Sequence, residues 1–449
     1  MQSFEIDKTD ITKIKEALLQ DDNALKSLLS EYHASEIAIL FENLNAEEKV
    51  RIINLLSIEM ASDVLSEMDE ESDPATLLYN LEPEKRAEIV EDLNYDDATD
   101  ILSQLDEEDQ SEILDDLNIE DASSIRNLLK YADDTAGGLM NTQFIKVELG
   151  MTKKNAIDEI IRQSEEIEEF YTVFVVDEFN TFKGIISLKD IIKAKVNTPI
   201  VDLVKPDAVY VYSNTDQEEV AKLIAQYNIT SIPVLDEDNK LLGRVTFDDV
   251  IDVLEEENTE DILKISGVSE DEELSGNWIE AVKSRLPWLI VNLATAFLAA
   301  FVVRYYESTI EQLSIISAYM VVIAGMGGNA ATQALAVTVR RISLFDLTDK
   351  QAYKTVLKEF SVGLINGAVI GLIVLGFALY FDGNPMLGIV IFLAMTGNMV
   401  IAGITGSGIP LLLKRIGIDP AIASSIIIST FTDVFGFLLL LGLASKLLL

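Results

Sequence analysis

Residues 420–445 read PAIASSIIISTFTDVFGFLLLLGLAS, an apolar run of 26 residues with one charge, Asp433, at its fourteenth position. A hydrocarbon core needs about 20 apolar residues of helix to cross it. Four more runs precede this one, at 286–303, 313–339, 360–381 and 383–413, none of them charged. Five such runs are too many for the buried helices of a water-soluble fold, and they read as a polytopic membrane domain. If the spans alternate, Lys283, Arg285, Arg340, Arg341, Lys350, Lys354, Lys358, Lys414 and Arg415 share one side, leaving Arg304 and Lys446 on the other. Basic residues stay in the cytoplasm. The expected placement is therefore a multi-pass protein of the cytoplasmic (inner) membrane, with its N-terminus inside and its C-terminus outside.

The charge is unevenly distributed. The chain of 449 residues carries 34 Lys and Arg against 76 Asp and Glu, a formal net charge of -42. Residues 284–449 hold 10 basic and 8 acidic side chains, so the deficit lies entirely in residues 1–283. A surface this acidic repels phosphate backbones and argues against nucleic-acid partners. With no cysteine and a single histidine, His33, thiolate chemistry and a two-histidine metal site are excluded within one chain. No catalytic constellation stands out, and a non-enzymatic function is expected. The opening residues are neither basic nor apolar, so no secretory leader is expected.

Within the acidic part, leucines recur every 12 residues at Leu81, Leu93, Leu105, Leu117 and Leu129. Asn94, Asp106 and Asn118 follow three of them, then acidic residues, then an apolar pair. That order is helix cap, acidic first turn and apolar face. Short helices of this kind bury a core only by stacking as a superhelix. Beyond residue 140 the pattern changes to β-branched runs at 171–176, 184–187, 209–212, 231–235 and 243–246. DEFNTFKGIISLKDII (177–192) aligns without gaps to DEDNKLLGRVTFDDVI (236–251), an internal repeat at an offset of 59. Each copy reads as helix, strand, Asp/Asn/Gly turn, strand, helix. The repeated pattern resembles a cystathionine-β-synthase (CBS) domain, which implies a paired regulatory module and, as a possible ligand, an adenine nucleotide such as ATP.

The pore chemistry centres on Asp433. An intramembrane carboxylate costs about 2.5–3.5 kcal/mol on insertion scales and is a functional candidate by default. Ser425, Ser429 and Asp433 are four apart and share one helical face. Gly325, Asn329 and Gln333 form a similar stripe in the second run, open equally to helix packing and to pore lining. Oxygen ligands alone suit a hard divalent cation. One carboxylate per chain, doubled about a two-fold axis, could hold a hydrated ion without stripping it.

The order of acidic helical repeat, DTAGGLM (134–140), CBS pair, acidic linking helix and five spans closely resembles the MgtE family of magnesium channels and transporters. GGNAATQ (327–333), DPA (419–421) and TDVFGF (432–437) also carry the resemblance. It covers essentially the whole chain, and implies these divisions: an all-α repeat domain at 1–132, α/β CBS domains at 133–199 and 200–255, a linking (plug) helix at 256–284, and a five-helix pore domain at 285–449. It also implies a homodimer in the lipid bilayer that takes up Mg²⁺ selectively and closes when Mg²⁺ binds its cytosolic part. In the pore it points to Asp433 and Asp419 as metal residues, with Gly328, Asn329, Ser425 and Ser429 lining. For the regulatory metal it points to Asp63, Asp96 and Asp100 in the repeat. Asp216, Glu218, Asp249 and Asp252 follow in the second CBS domain, and Glu257, Glu260 and Asp261 in the linking helix. Asn228 stands where the family has an acidic ligand, and Ala331-Thr332 where it has Gly-Asn. The alternative is a membrane-anchored sensor of adenine nucleotide that transports nothing; the stripe around Asp433 separates the two, since an anchor needs none.

Overall fold

The computed structural model describes residues 8–19, 22–69, 72–164, 167, 170–269, 278–345, 347–422 and 425–449. It divides into two compact units, Met1–Glu255 and Glu256–Leu449.

In the first unit, ten helices among the described residues stack around one continuous apolar core: α1 (Lys8–Leu18), α2 (Asp22–Leu29), α3 (Ala34–Phe41), α4 (Ala46–Leu55), α5 (Ile58–Ser66), α6 (Pro74–Tyr79), α7 (Pro83–Asp92), α8 (Tyr95–Ser103), α9 (Glu107–Asp116) and α10 (Ile119–Leu128). The 12-residue period is one short helix plus its corner. Leu93 and Leu117 sit at the corners as extended C-cap residues, and both are buried. Of the three expected caps, Asp106 and Asn118 each accept two backbone N–H groups, whereas Asn94 stands at the N-cap of α8 without a side-chain bond to its backbone. Helices of ten residues are marginal alone in water; the stacked apolar faces stabilise them.

The CBS pair follows as two sheets ordered β1-β2-β3 and β4-β5-β6. The first contains β1 (Lys146–Glu148), β2 (Thr172–Val176) and β3 (Phe182–Ser187), with α11 (Lys153–Gln163) and α12 (Leu188–Lys193). The second contains β4 (Val211–Tyr212), β5 (Ser231–Leu235) and β6 (Leu241–Thr246), with α13 (Gln217–Tyr227) and α14 (Phe247–Ser266). In each sheet the first strand pairs parallel and the last antiparallel. The internal repeat is reproduced atom by atom at its turns. Asp177 Oδ1 accepts from the backbone of Phe179 and Thr181, and Asp236 Oδ1 from that of Asp238 and Lys240. Asn180 and Asn239 both take positive φ, 61° and 59°, a conformation asparagine tolerates. The two turns also bond to each other, Phe182 N–H to the Asn239 carbonyl and Leu241 N–H to the Asn180 carbonyl.

The linking helix is not a separate element. α14 starts inside the second CBS domain and runs 20 residues to Ser266 with no Gly or Pro to break it. Gly267, at φ +77°, ends it. Residues 270–277, part of the expected linker, lie outside the described residues.

In the second unit, five helices have the length and composition to cross a membrane: span one (Ala281–Tyr305), span two (Ile316–Leu344), span three (Asp349–Phe381), span four (Pro385–Arg415) and span five (Ser425–Leu447). Pro420–Ile422 forms a 3-10 turn ahead of span five, and residues 423 and 424 lie outside the described residues. Span four is the centre, with 56% of its apolar window buried, whereas span one has 6%. Spans three and four meet through glycines. A Cβ on Gly363 would lie 2.4 Å from the Met399 carbonyl oxygen, and one on Gly403 2.4 Å from that of Glu359. Backbones that close leave no room for a methyl group. Gly403→Ala should therefore cost on the order of 1–3 kcal/mol. Gly376→Ala, with nothing within 4 Å, should leave thermal unfolding in detergent unchanged.

Candidate functional site

Asp433 lies in span five, half-buried, one residue after the fully buried Thr432. Among the described residues its carboxylate takes no hydrogen bond and no cationic partner. Ser429 is satisfied locally, its hydroxyl donating to the Ile426 carbonyl at 3.1 Å. Ser425 opens the helix. In span two, Gly325, Asn329 and Gln333 are all exposed, so the stripe is not used for packing within the chain. The two faces adjoin, since a Cβ on Gly328 would lie 3.9 Å from that of Ser429. Polar groups bare at membrane depth require water, an ion or another subunit. Ala331 and Thr332 have packing roles: a Cβ on Gly406 of span four would lie 2.5 Å from the Ala331 carbonyl, and the Thr332 hydroxyl donates to the Gly328 carbonyl.

Asp419 stands at the end of span four and is already engaged. Its Oδ1 accepts from the Ala421 N–H at 2.8 Å, and its Oδ2 pairs with Lys264 Nζ at 2.9 Å. The same ammonium pairs with Glu260. Two further contacts tie this end of α14 to span two: Arg340 donates to Asn258 at 2.8 Å and Ser343 to Asp261 at 3.2 Å. Glu257 lies one turn before Glu260 and Asp261 on α14. Lys264 went unnoticed in the sequence because one lysine in an acidic helix carries no local signal of a partner 155 residues away.

In the first unit, the buried Asp96 and the half-buried Asp249 lie close to Asp97 and Arg244. Asp96 Oδ1 accepts from Asn141 Nδ2 at 3.0 Å. Burial, then Asp97 and Asp249, hold its carboxyl well above the usual range. Asp249 Oδ2 accepts from the Thr246 N–H and hydroxyl, yet burial pushes it up as well. Burial, then Asp249, pushes Asp97 up to about 6. Asp252 is raised by burial and by Glu255, Glu67, Asp248 and Asp69. Asp97 also lines an acidic cavity of about 710 Å³ with Asp63, Glu59, Asp92 and Asp121. Sequence reasoning singled out Asp96 and passed over its neighbour, and only burial distinguishes them.

The other expected ligands are used differently. Asp100 is exposed on α8. Asp216 caps α13 by accepting from the Glu218 N–H at 2.9 Å, and Glu218 pairs with Lys222. Asn228 is the left-handed C-cap of α13 at φ 50°, a position for which asparagine is suited. Among the described residues no three carboxylates stand together in a ready-made metal cage.

The MgtE divalent cation transporter profile matches residues 320–443, the MgtE intracellular N domain 32–134, and the CBS domain 136–197 and 200–256. The magnesium transporter MgtE of Thermus thermophilus is 35% identical over 97% of this chain and 98% of its own. The chain belongs to the MgtE family. The Enterococcus faecalis magnesium transporter MgtE is 38% identical over 71% of this chain and 70% of its own. Among solved structures, the cytosolic domain of the Mg²⁺ channel MgtE in complex with ATP is similar at 36% identity and TM-score 0.52, covering 54% of this chain and 99% of that one. The soluble part of a magnesium transporter is similar at 31% identity and TM-score 0.50, covering 56% and 98%. The architecture is therefore that of this family: an N domain and CBS pair joined to five apolar helices.

The raised carboxyls make the first unit sensitive to pH. A carboxyl with a raised folded-state value carries a penalty that is fully present above that value and fades as pH falls towards the unfolded value near 4. Without divalent cations, the urea midpoint of the soluble region, read by circular dichroism, should rise as pH is lowered from 7.5 to 5.5. Asp97→Asn should raise the midpoint at pH 7.5 and flatten this dependence.

Proposed function

We propose that the chain is a homodimeric Mg²⁺ channel of the cytoplasmic membrane that passes Mg²⁺ inward and shuts when Mg²⁺ is abundant inside. The observation that carries this is the unpartnered Asp433 carboxylate, midway along an apolar span and beside the exposed face of Asn329. A structure with no transport role has no use for it. The relatives named as magnesium transporters supply the choice of ion; the chemistry alone supports a hard divalent cation held through oxygen and water. Two chains would face their polar stripes across a shared axis, with Ser425, Ser429 and Gly328 lining the path. The poorly covered span one supports the same reading, because a second copy would cover it.

The regulatory reading rests on electrostatics. Carboxylates at Asp63, Asp96, Asp97, Asp249 and Asp252 repel one another in the compact first unit, and a bound cation would relieve them. The donors are all oxygen and suit Mg²⁺, which keeps most of its waters and so needs no closed cage. Glu257, Glu260 and Asp261 of α14 would add to this set, while Asp216 and Glu218, already a cap and an ion pair, contribute less. At the membrane end, the Lys264 ammonium holds Asp419 and Glu260 in the place a cation would take. The ATP complex of the related cytosolic domain supports ATP as a ligand of the CBS pair here.

Mg²⁺ influx into liposomes containing the purified protein tests the proposal. Asp433→Ala should abolish influx while the protein still inserts and folds, since removing the charge eases insertion. Wild-type influx in that variant would remove Asp433 from the mechanism. Neutralising Asp249, Asp252, Glu257, Glu260 and Asp261 together should raise the Mg²⁺ concentration needed for closure, because a cation that stabilises only the compact state loses its preference. Protection from proteolysis against Mg²⁺ concentration reads this. A midpoint that stays put or moves lower would reduce these carboxylates to a solvated surface.

A further inference from the structure

Span four contains a polar side chain that the ion path does not touch. Asn398 lies near the middle of the helix and is fully buried. Its Nδ2 donates to the carbonyl of Ile323 in span two at 3.0 Å. Its Oδ1 is buried with no hydrogen-bond partner among the described residues. The amide is a wedge between two glycines. A Cβ on Gly327 of span two would lie 2.2 Å from Asn398 Nδ2, and one on Gly436 of span five 2.9 Å from its Cγ and 3.0 Å from its Oδ1. Gly327 immediately precedes Gly328 and Asn329, and Gly436 lies three residues beyond Asp433.

An acceptor left without a partner in the hydrocarbon region costs stability. An apolar side chain would carry no such cost, so packing alone does not account for an amide. What the amide adds is a directional bond to one carbonyl of span two and a flat edge against span five. Together these set the depth and rotation of the two polar faces relative to each other.

We propose that Asn398 is a positioning residue that holds the Asp433 face of span five in register with the Asn329 face of span two. As a statement about ion passage, this rests on the transport reading above. Asn398 does not contact the ion; it acts through the spans on either side.

Two readouts test it. In liposomes, Asn398→Leu removes the amide but adds volume against Gly327 and Gly436, so its thermal midpoint is measured first to establish that it folds. Its half-saturating Mg²⁺ concentration should rise about tenfold, an effect on binding that a purely structural loss of active protein would not produce. Discrimination between Mg²⁺ and Ca²⁺ should weaken with it. The second readout does not depend on transport. The chain has no cysteine, so Gly328→Cys with Ser429→Cys places one thiol pair at a Cβ separation of 3.9 Å, inside the range for a disulfide. This pair should close readily with Asn398 present and about fivefold more slowly with Asn398→Leu, since closure depends strictly on geometry. If the leucine variant does not fold, Asn398→Ser, which keeps a hydroxyl donor but not the wedge, is read in the same way. Unchanged half-saturation and selectivity together with an unchanged closure rate would overturn the proposal. If the unaltered protein passes no Mg²⁺, the transport reading falls, and the thiol closure rate alone decides whether Asn398 sets the register.

Discussion

A carboxylate halfway through a membrane helix must be met by something: a proton, a buried cation, water or a passing ion. Among the described residues nothing from the same polypeptide meets Asp433. The rest of the membrane unit is arranged around that fact. Spans three and four pack backbone to backbone through Gly363 and Gly403 and form an apolar scaffold, and span five is held against it with its polar face turned towards bare residues of span two. The scaffold is well packed where chemistry is absent and open where the carboxylate lies. A helical bundle stabilised for its own sake would close that gap.

The soluble unit faces the same constraint at larger scale. Many carboxylates share one acidic surface, and several are drawn into partly dry positions where their mutual repulsion is least screened. Asp96 accepts from Asn141 and from the Asp97 N–H, Asp249 from Thr246, and one guanidinium, Arg244, lies near both. Protons would relieve that repulsion, and the raised carboxyls through which they would do so lie in the first unit.

Much of this was legible in the sequence because it follows from one-dimensional patterns. Apolar length gave the five spans, the 12-residue leucine period gave the stacked helices, and the repeat gave two CBS domains with equivalent Asp and Asn turn residues. Local pattern failed where the decisive partner is distant. β1 is three residues long and exists only because β2 pairs with it. The last apolar run opens at Pro420, where the structure has a 3-10 turn over Pro420–Ile422, and Asp419 just before it is bound to Lys264. Asn398 was passed over because one asparagine in an apolar run has no visible meaning until Ile323, Gly327 and Gly436 are placed around it. Among the acidic residues, composition could not separate a helix cap such as Asp216 from a dehydrated group such as Asp97. Only burial makes that distinction.

The unbroken run of α14 has a mechanical consequence. Twenty residues of helix make a rod about 30 Å long, with no Gly or Pro within it to act as a flexure. Such a rod does not absorb a small reorientation at its acidic end; it amplifies it. A tilt of about 10° about one terminus moves the other by about 5 Å, roughly one helical turn. Lys264 lies in the last turn of that lever. The leverage is built into the length of the helix, and substituting a glycine near its middle would weaken it by lowering local helix stability while keeping the register of the residues beyond it.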